Sequence, residues 1–339
     1  MTNRIPLTPP KIASLSQSTT QPLWSIMIPV YNCGAFLHEA IMSILSQDMG
    51  EELMQIEVID DASTDIDVKT SVERWGKGRI TYYRQPQNMG SLRNFETCIN
   101  RAKGKLVHLF HGDDRVKQGF YKRMTALFEK FPRAGAGFCG YDVIDEEGKK
   151  TGTELQLSEN DCILDNWLCT IAGKQLVQYI SMVVKREVYE NLGSFYAATY
   201  GEDWEMWTRI AAKYPTAYSP EFLAEYRMHF NSISSSSFSS GKNIRDIACI
   251  LKLIREHLPA DQRKEVYRNG LRYYTTWAVK FARTTWYRTN ETKIVYRQVF
   301  EALRVYRDKV LLRQCWDLVY SASTWKLKRL ASRKRRMIK

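Results

Sequence analysis

Short apolar runs alternate with amphipathic segments between residues 24 and 131. Residues 24–30 (WSIMIPV) form the first apolar run, and the apolar residues between positions 37 and 45 then recur at helical spacing. Further apolar runs follow at 56–59, 79–84 and 105–110, separated by amphipathic segments. Strands that alternate with helices in this way predict a mostly parallel α/β sheet, in which ligands bind beyond the carboxyl ends of the strands.

The pattern continues with less regularity up to residue 227. It predicts a helix over 120–131, strands over 135–145 and 177–184, a helix over 202–212 and either a pair of strands or one long strand over 216–227, but 153–176 has no assignable period. Residues 135–140 match G-x-G-x-x-G. Because they follow a helix that ends at Phe131-Pro132, we interpret them as a strand with small residues rather than as a dinucleotide-binding loop.

Composition changes along the chain and predicts three regions. Residues 1–22 carry Pro, Ser and Thr without an apolar core, which is typical of a disordered leader rather than a secretory signal. The Ser-rich run 232–240 is the predicted boundary between a catalytic domain at 23–240 and a helical extension at 241–339.

The extension carries the basic charge of the protein. Residues 241–339 contain 25 Lys and Arg against 8 Asp and Glu, a formal charge of +17, whereas residues 1–240 carry −4. Residues 325–339 cluster cations with a few apolar side chains, as in a helix that lies on an anionic membrane surface. A solvated basic tail is the plainer interpretation, and no nucleic-acid motif accompanies the charge, so nucleic acid is not an expected partner.

Two further patterns limit the class of protein. The seven cysteines are scattered without a C-x-x-C pair, which indicates reduced thiols in the cytoplasm rather than a disulfide framework or a zinc site. No run approaches 18 apolar residues, so no membrane-spanning helix is expected.

Acidic residues follow two of the predicted strands. Asp60, Asp61 and Asp65 follow the second strand, and Asp113 and Asp114 follow the fourth. Parallel topology brings such strand ends together, and a divalent cation that bridges a diphosphate would offset the charge of the carboxylates. The alternative is that these side chains only cap a helix and begin a turn.

Seven ordered blocks, spread over residues 24–236, resemble family 2 glycosyltransferases. The blocks are SIMIPVYN (25–32), VIDDASTD (58–65), NMGSLRN (88–94), HGDD (111–114), GSF (193–195), GED (201–203) and YRMH (226–229). This resemblance implies the GT-A fold, a Rossmann-like mostly parallel sheet that binds a nucleotide-diphosphate sugar, here with a helical C-terminal extension. It also implies transfer with inversion at the anomeric carbon.

The resemblance implies roles for individual residues in nucleotide-sugar binding and in catalysis. Asp203 of the Glu202–Asp203 pair would be the catalytic base. Asp114 would bind Mn²⁺ or Mg²⁺, with His229 as a further ligand. The residues implied to bind the nucleotide sugar are Pro29 and Tyr31 beside the base, Asp60 and Asp61 at the base, Arg93 in the nucleotide pocket, Asp113 at the ribose and sugar, and Arg227 at the diphosphate.

Two departures from the family pattern qualify these expectations. His111 stands where the family commonly has an acid, and we assign it a structural role rather than a role at the metal. The Gln-x-x-Arg-Trp signature of processive members is absent, which favours transfer of a single sugar.

The sequence therefore predicts an inverting, metal-dependent glycosyltransferase. We expect it to use a nucleotide-sugar donor, with UDP favoured, and a glycan or lipid-linked acceptor of the cell envelope. We expect it in the cytoplasm, at the inner face of the plasma membrane. The alternatives are a degenerate GT-A-like module that docks through its basic tail and a nucleotidyltransferase, although the latter would have a Gly-rich loop where this chain has Pro29-Val-Tyr-Asn32.

Overall fold

The chain forms two compact units, residues 1–229 and 230–339. A computed structural model describes residues 4–16, 20–154, 156–230 and 232–337, with side chains as far as residue 325. The Ser-rich run, predicted as the boundary between domains, forms a helix in the second unit, and the division between the units falls just before it.

The first unit is built on a ten-stranded sheet in the order β3-β2-β1-β4-β9-β6-β10-β5, with β7 beside β6 and β8 beside β10. Strands β1, β2, β3 and β4 are parallel to one another, and so are β6 and β10, whereas β9 runs antiparallel between β4 and β6. The predicted mostly parallel sheet is confirmed. The strands are β1 (Trp24–Val30), β2 (Met54–Asp60), β3 (Thr81–Arg84), β4 (Leu106–Leu109), β5 (Arg115–Val116), β6 (Ala136–Ile144), β7 (Lys150–Thr153), β8 (Cys162–Ile163), β9 (Met182–Lys185) and β10 (Thr216–Arg227).

Seven helices belong to the first unit and five to the second, among the described residues. Short 3₁₀ turns lie at Tyr179–Ser181 and Arg255–His257. The helices are α1 (Gly34–Leu45), α2 (Val68–Gly76), α3 (Ser91–Arg101), α4 (Phe120–Lys130), α5 (Trp167–Gly173), α6 (Arg186–Leu192), α7 (Glu202–Ala211), α8 (Ile233–Ser240), α9 (Lys242–Ile254), α10 (Ala260–Thr289), α11 (Thr292–Val305) and α12 (Lys309–Met337).

Strand β1 lies at the centre of the first core, and all seven of its residues are buried. Burial on both faces explains why its sequence is an apolar run instead of an alternating pattern. Ile26, Ile28 and Val30 pack in one cluster with Leu37 and Ile41 of α1. Each such side chain contributes about 1.5–3 kcal/mol on burial. This packing fixes the carboxyl end of β1, where the chain turns toward the polar edge of the sheet.

The G-x-G-x-x-G segment is part of strand β6, as we predicted, and its glycines are required for packing. A Cβ at Gly137 would lie 3.2 Å from Phe128, and one at Gly140 would lie 2.8 Å from Phe222. The small residues therefore bring the neighbouring helix and strand close to β6.

The prediction of a disordered leader is wrong for residues 4–16. Ile12 is buried, and the carbonyl groups of Pro6 and Pro10 accept hydrogen bonds from the main chain of residues 197 and 194. The segment is held by these main-chain bonds as well as by the buried Ile12. It is an ordered part of the first unit.

The second unit has its own apolar core. Ala278, Ala282 and Trp286 of α10 pack with Val295 of α11 and Leu318 of α12, together with other residues of these helices. No helix in the described part of the chain is long and apolar enough to cross a membrane. All seven cysteines are free.

Candidate active site

The acidic loop His111-Gly-Asp-Asp114 directly follows strand β4 at the carboxyl edge of the sheet. Gly112 permits a close approach to the loop after β1, because a Cβ there would lie 2.9 Å from Cys33 Sγ. Asp114 is 2% exposed, and its carboxylate Oδ1 accepts a hydrogen bond of 2.8 Å from the Arg227 main-chain N–H. The loop therefore packs closely on side chains around the end of β1 and is bonded to the main chain at the end of β10.

Three side chains of this loop could hold a divalent cation. Ligand atoms of His111, Asp113 and Asp114 lie within 4.8 Å of one another. His111 Nε2 is buried and has no hydrogen-bond partner among the described residues, and burial lowers the pKa of His111, which favours the neutral imidazole that can bind a metal. Two carboxylates and an imidazole fit Mn²⁺, and the carboxylates alone also suit Mg²⁺.

His229 lies next to this group but is not one of its three members. Its Nε2 is 2.9 Å from Asp113 Oδ2, and its ring packs against Phe36. We assigned His229 to the metal from the family pattern and His111 to a structural role. The structure instead groups His111 with the two aspartates and places His229 where it orients Asp113.

Arg227 does not fit the predicted contact with a diphosphate. Its side chain is fully buried, with Nε donating to the Asp113 carbonyl at 2.8 Å and Nη2 donating to Glu39 Oε2 at 2.8 Å. Nη1 donates to the carbonyl groups of Asp145 and Glu146. Because these bonds hold the guanidinium in the interior, we correct its role to positioning the acidic loop.

Asp113 and Asp114 place two carboxyl groups next to each other in the loop, and the charge of Arg227 only partly offsets the effect of burial on Asp114. Burial, together with the neighbouring charge of Asp113, raises the pKa of Asp114 well above its usual range. A cation bound by these side chains would lower that pKa again, because opposite charge favours the ionised carboxyl. The electrostatics of the loop therefore agree with its ligand geometry.

Asp60 and Asp61 lie at the end of β2 and organise the loops around them. Asp60 Oδ1 accepts from the Ser63 N–H at 2.8 Å, and Oδ2 accepts from the Tyr82 hydroxyl at 2.8 Å and from Arg84. Asp61 accepts from the main-chain N–H groups of residues 89 and 90 at 2.6 and 2.8 Å. Ala62, between Asp61 and Ser63, has a φ of 62°, a conformation that costs energy for a residue with a Cβ.

The other predicted nucleotide residues differ in their accessibility. Tyr31 follows β1 with its side chain half exposed, so its ring is free to stack on a base, whereas Pro29 is buried within β1. Arg93, on α3, donates to Glu96 Oε2 at 2.6 Å. Tyr31, Asp60 and Asp61 therefore lie at the carboxyl edge of the adjacent strands β1 and β2.

The predicted catalytic pair begins helix α7. Asp203 accepts a hydrogen bond of 2.7 Å from the Trp204 N–H on Oδ1 and a second bond from Gln175 Nε2 on Oδ2. Burial raises the pKa of Asp203 to about 7. A carboxylate with a pKa near neutrality is suited to general-base catalysis, because it can accept a proton at the pH at which the protein operates.

Tyr179 connects the acidic loop with the catalytic pair. Its ring centroid is 4.4 Å from that of His111, and its hydroxyl donates to Glu202 Oε1 at 3.3 Å. The two clusters are distant in sequence but share this one buried side chain. The fold therefore brings the predicted metal-binding and catalytic residues to one site.

We missed Gln175 and Tyr179 from the sequence. Both lie in or beside the segment 153–176, which has no apolar period, and neither belongs to a block of the family pattern. No signal in the chain alone marks them. Their role depends on the path that the chain takes between β8 and β9.

Comparisons with known proteins identify the family and the fold that the chain resembles. Residues 25–191 match the family described as glycosyl transferase family 2. An uncharacterized Mycobacterium tuberculosis protein is 32% identical over 135 residues, which are 40% of this chain and 41% of that protein. The match therefore spans less than half the length of that relative. The putative teichuronic acid biosynthesis glycosyltransferase TuaG of Bacillus subtilis is 26% identical over 66% of this chain and 85% of its own length.

Solved structures resemble the chain over most of its length. S. aureus TarS in complex with UDP-GlcNAc has a TM-score of 0.63 at 12% identity and covers 90% of this chain and 91% of that chain. The mannosyltransferase PcManGT of Pyrobaculum calidifontis, in complex with GDP-Man and Mn²⁺, has a TM-score of 0.56 at 16% identity and covers 96% and 91%. At these identities the likeness concerns the fold alone, and it confirms the predicted GT-A fold.

Proposed function

Since the chain belongs to glycosyl transferase family 2 through its residues 25–191, we propose that it transfers a single sugar, with inversion, from a nucleotide-diphosphate sugar to an acceptor hydroxyl. The observation that carries this proposal is the link through Tyr179 between the acidic loop and the Glu202–Asp203 pair. Donor phosphates and an acceptor hydroxyl must meet at one place for a direct displacement. The shared site provides that place.

Asp203 is the proposed catalytic base. Its ionised carboxylate accepts the acceptor's proton while the hydroxyl oxygen attacks the anomeric carbon. The Trp204 N–H and the Gln175 amide hold the carboxylate in one orientation, which limits the geometry in which an acceptor can bind. Glu202, held by Tyr179, supports the same end of helix α7.

His111, Asp113 and Asp114 are the proposed ligands of Mn²⁺ or Mg²⁺. When bound, such an ion neutralises charge on the departing diphosphate. His229 orients Asp113 and Arg227 fixes the backbone of the loop, so these two residues preserve the spacing of the ligands. The presence of three candidate metal ligands beside a candidate base argues against a degenerate binding module.

We propose a UDP-sugar as the donor and an envelope glycan or its lipid-linked precursor as the acceptor. One structural neighbour was solved with UDP-GlcNAc and another with GDP-Man, so the fold accommodates either nucleotide. UDP is favoured by its frequency in the family. Two Bacillus subtilis relatives carry the names of teichuronic acid and minor teichoic acid biosynthesis proteins, which supports an acceptor of the cell wall.

Thermal unfolding with UDP, GDP and dTDP, each with and without Mn²⁺, tests the donor proposal. Ligand at 100 times its Kd stabilises the folded state by about 2.7 kcal/mol, which for a domain of this size raises Tm by roughly 5 °C or more. We expect UDP with Mn²⁺ to give the largest increase. A matched control is Glu51→Gln, an exposed carboxyl before β2 at the opposite edge of the sheet, which should leave the increase unchanged.

The same experiment has an outcome that contradicts the proposal. If none of the three nucleotides changes Tm, either with or without Mn²⁺, the chain is a binding module on a transferase fold. If Tm increases with GDP or dTDP alone, the proposed reaction stands and that nucleotide replaces UDP as the donor nucleotide.

We also propose that the second unit binds anionic membranes, which would hold the enzyme at the inner face of the plasma membrane. The cation-rich tail at 325–339 lies almost entirely beyond the described side chains, so support comes from an exposed aromatic patch on α11 and α12. Leu312, Trp316 and Tyr320 recur at helical spacing on α12. The Tyr296 hydroxyl of α11 lies 3.0 Å from Ser323 Oγ, on the same side of α12. The aromatic patch consists of Tyr296, Phe300, Leu312, Trp316 and Tyr320, of which Trp316 is 72% exposed.

The charge around the aromatic patch complements anionic lipid. Residues 293–313 contain six Lys and Arg against two Asp and Glu. Each cation near an anionic surface contributes about 1 kcal/mol, and Trp and Tyr side chains partition to the membrane interface. The combination fits a lipid surface better than a neutral protein partner.

Replacing Trp316 and Tyr320 together with Ser is expected to weaken binding to phosphatidylglycerol vesicles about tenfold or more, because two interfacial aromatic side chains are lost. Vesicle sedimentation at low salt measures this change, and Leu53→Ser, an exposed apolar site in the first unit, is the matched control. Trp325 packs on Trp286, so a tail deletion should begin after it. Unchanged vesicle binding would reject the membrane assignment. A wild-type dimer that dissociates in the variant would also reject it, because the aromatic patch would then be an interface between two copies of the chain.

A further inference from the structure

The N-terminal segment packs across the first unit and reaches the loop that holds Asp61. Its Pro10 carbonyl accepts from the Ser194 N–H at 2.8 Å, and its Pro6 carbonyl accepts from the Ala197 N–H at 2.9 Å. At the other side, the Ala13 N–H donates to Asn100 Oδ1 at 3.1 Å. Residues 4–16, here called the strap, therefore connect helix α3 with the segment 193–198.

The surface beneath the strap is shaped for it. Gly193 has a φ of +79°, and a Cβ there would lie 2.7 Å from the Pro10 carbonyl oxygen. Gly90 has a φ of +88°, and a Cβ there would lie 3.1 Å from Arg4 Nε. Ile12 is buried, and Arg186 Nη2 donates to the Ala13 carbonyl at 2.8 Å. Contacts at both ends and in the middle make the strap an integral part of the unit.

Arg4, at the first described position of the strap, contacts the loop that holds Asp61. Its guanidinium donates to Asn88 Oδ1, and Asn88 Nδ2 donates to Asp61 Oδ2 at 3.1 Å. Burial raises the pKa of Asp61, and the positive charge of Arg4 opposes that change. A hydrogen-bonded chain thus leads from Arg4 through Asn88 to the carboxylate.

We propose that the strap is a component of the donor site and that Arg4, acting through Asn88, is a positioning residue that holds Asp61 for recognition of the nucleobase. This inference rests on the proposed function, because it assumes that Asp61 faces the base of a nucleoside diphosphate. Arg4 itself need not contact the ligand. Its contribution is to keep Asn88 oriented and Asp61 ionised.

Arg4→Ala tests the proposal by comparing two probes, UDP and inorganic pyrophosphate, each with Mn²⁺. We expect Kd for UDP to rise about tenfold, as for the loss of a charge-assisted hydrogen bond, while Kd for pyrophosphate stays unchanged because it lacks a base. Calorimetric titration measures both constants. In turnover the donor KM should rise while kcat is preserved.

Three further variants separate positioning from general structural damage. Arg4→Lys keeps the charge and should restore most of the affinity, and Lys11→Ala, an exposed cation on the same strap, should have no effect. In an Asn88→Ala background, Arg4→Ala should cost less UDP affinity than it does in the wild type, because the bond to Asn88 is already lost and only the charge of Arg4 near Asp61 remains.

Two results would overturn the inference. One is equal UDP affinity in the wild type and in Arg4→Ala, and the other is an Arg4→Ala variant that loses UDP and pyrophosphate binding to the same extent. In both cases the proposed function stands and only the strap loses its role. A wild type that binds pyrophosphate and no nucleotide would overturn both together.

Discussion

Replacing Asp203 with Asn is expected to lower the rate of sugar transfer by about 10²–10⁴-fold, the usual contribution of a positioned general base. The amide keeps the shape of the carboxyl but cannot accept the acceptor's proton. Its oxygen can still accept from the Trp204 N–H, so the amino end of α7 should remain folded. Release of nucleoside diphosphate during transfer measures the rate, and the nucleotide-induced increase in Tm should be preserved.

The pH dependence of the wild-type transfer rate should also reflect the ionisation of Asp203. Because burial raises the pKa of Asp203 to about 7, the fraction of ionised base falls as the pH drops below that value. The transfer rate should therefore decline on the acid side, approaching a tenfold loss per pH unit, and level off above pH 7. Asp203→Asn should lack this acid limb.

Glu202→Gln is the matched control for this prediction. Glu202 precedes Asp203 and accepts from the Tyr179 hydroxyl, a bond that the amide oxygen of Gln can also accept. We expect a loss of rate well below that of Asp203→Asn, with the acid limb retained. If Glu202→Gln removes the acid limb while Asp203→Asn leaves it in place, the assignment of the base within the pair is reversed.

Replacing Asp114 with Asn is expected to remove the metal dependence of nucleotide binding and to reduce kcat/KM by about 100-fold or more. A Lewis acid contributes several kcal/mol to such reactions, and each 1.36 kcal/mol is a factor of ten. The amide oxygen can still accept from the Arg227 N–H, so the loop should keep its path. Titration of Mn²⁺ against UDP binding measures the loss, and chelation of the wild type should reproduce it.

His229→Gln provides a graded comparison with Asp114→Asn. His229 contacts the carboxylate of Asp113, so its replacement should weaken Mn²⁺ binding by about 10–100-fold, in the range of residues that orient a ligand. His111→Phe replaces the imidazole that packs on Tyr179 with a phenyl ring, which can pack there but has no nitrogen to bind a metal. If Asp114→Asn retains full Mn²⁺ stimulation, the acidic loop is not the metal site.

The sequence predicted the elements whose burial pattern is simple. Strands β1, β2 and β4 are short apolar runs because both faces of the sheet are covered, and their ends are marked by Asp60 and by the loop at 111–114. The helices α4 and α7 follow an apolar stripe and were also predicted close to their observed bounds. Because such a period repeats within a single helix or strand, the element can be predicted without knowing the rest of the fold.

The roles of the polar residues were harder to predict, because they depend on contacts between distant segments. Arg227 has a motif position that suggests a phosphate ligand, yet its guanidinium is enclosed by carbonyl groups of residues 113, 145 and 146. His111 Nε2 is buried without a hydrogen-bond partner among the described residues, although the carboxylates of Asp113 and Asp114 lie close to the ring. Neither fact follows from residue type or spacing.

The main-chain character of the strap has a consequence for sequence comparison. Its bonds to residues 194 and 197 use the carbonyl groups of Pro6 and Pro10, which every residue type possesses. Substitutions along such a segment leave these bonds intact as long as the backbone stays extended, so apart from Arg4 and the buried Ile12 its sequence is free to drift faster than the loops it touches. Relatives aligned from their first conserved block would give no sign of an equivalent segment, and a chain trimmed to that block would lose the support beneath residues 193–198.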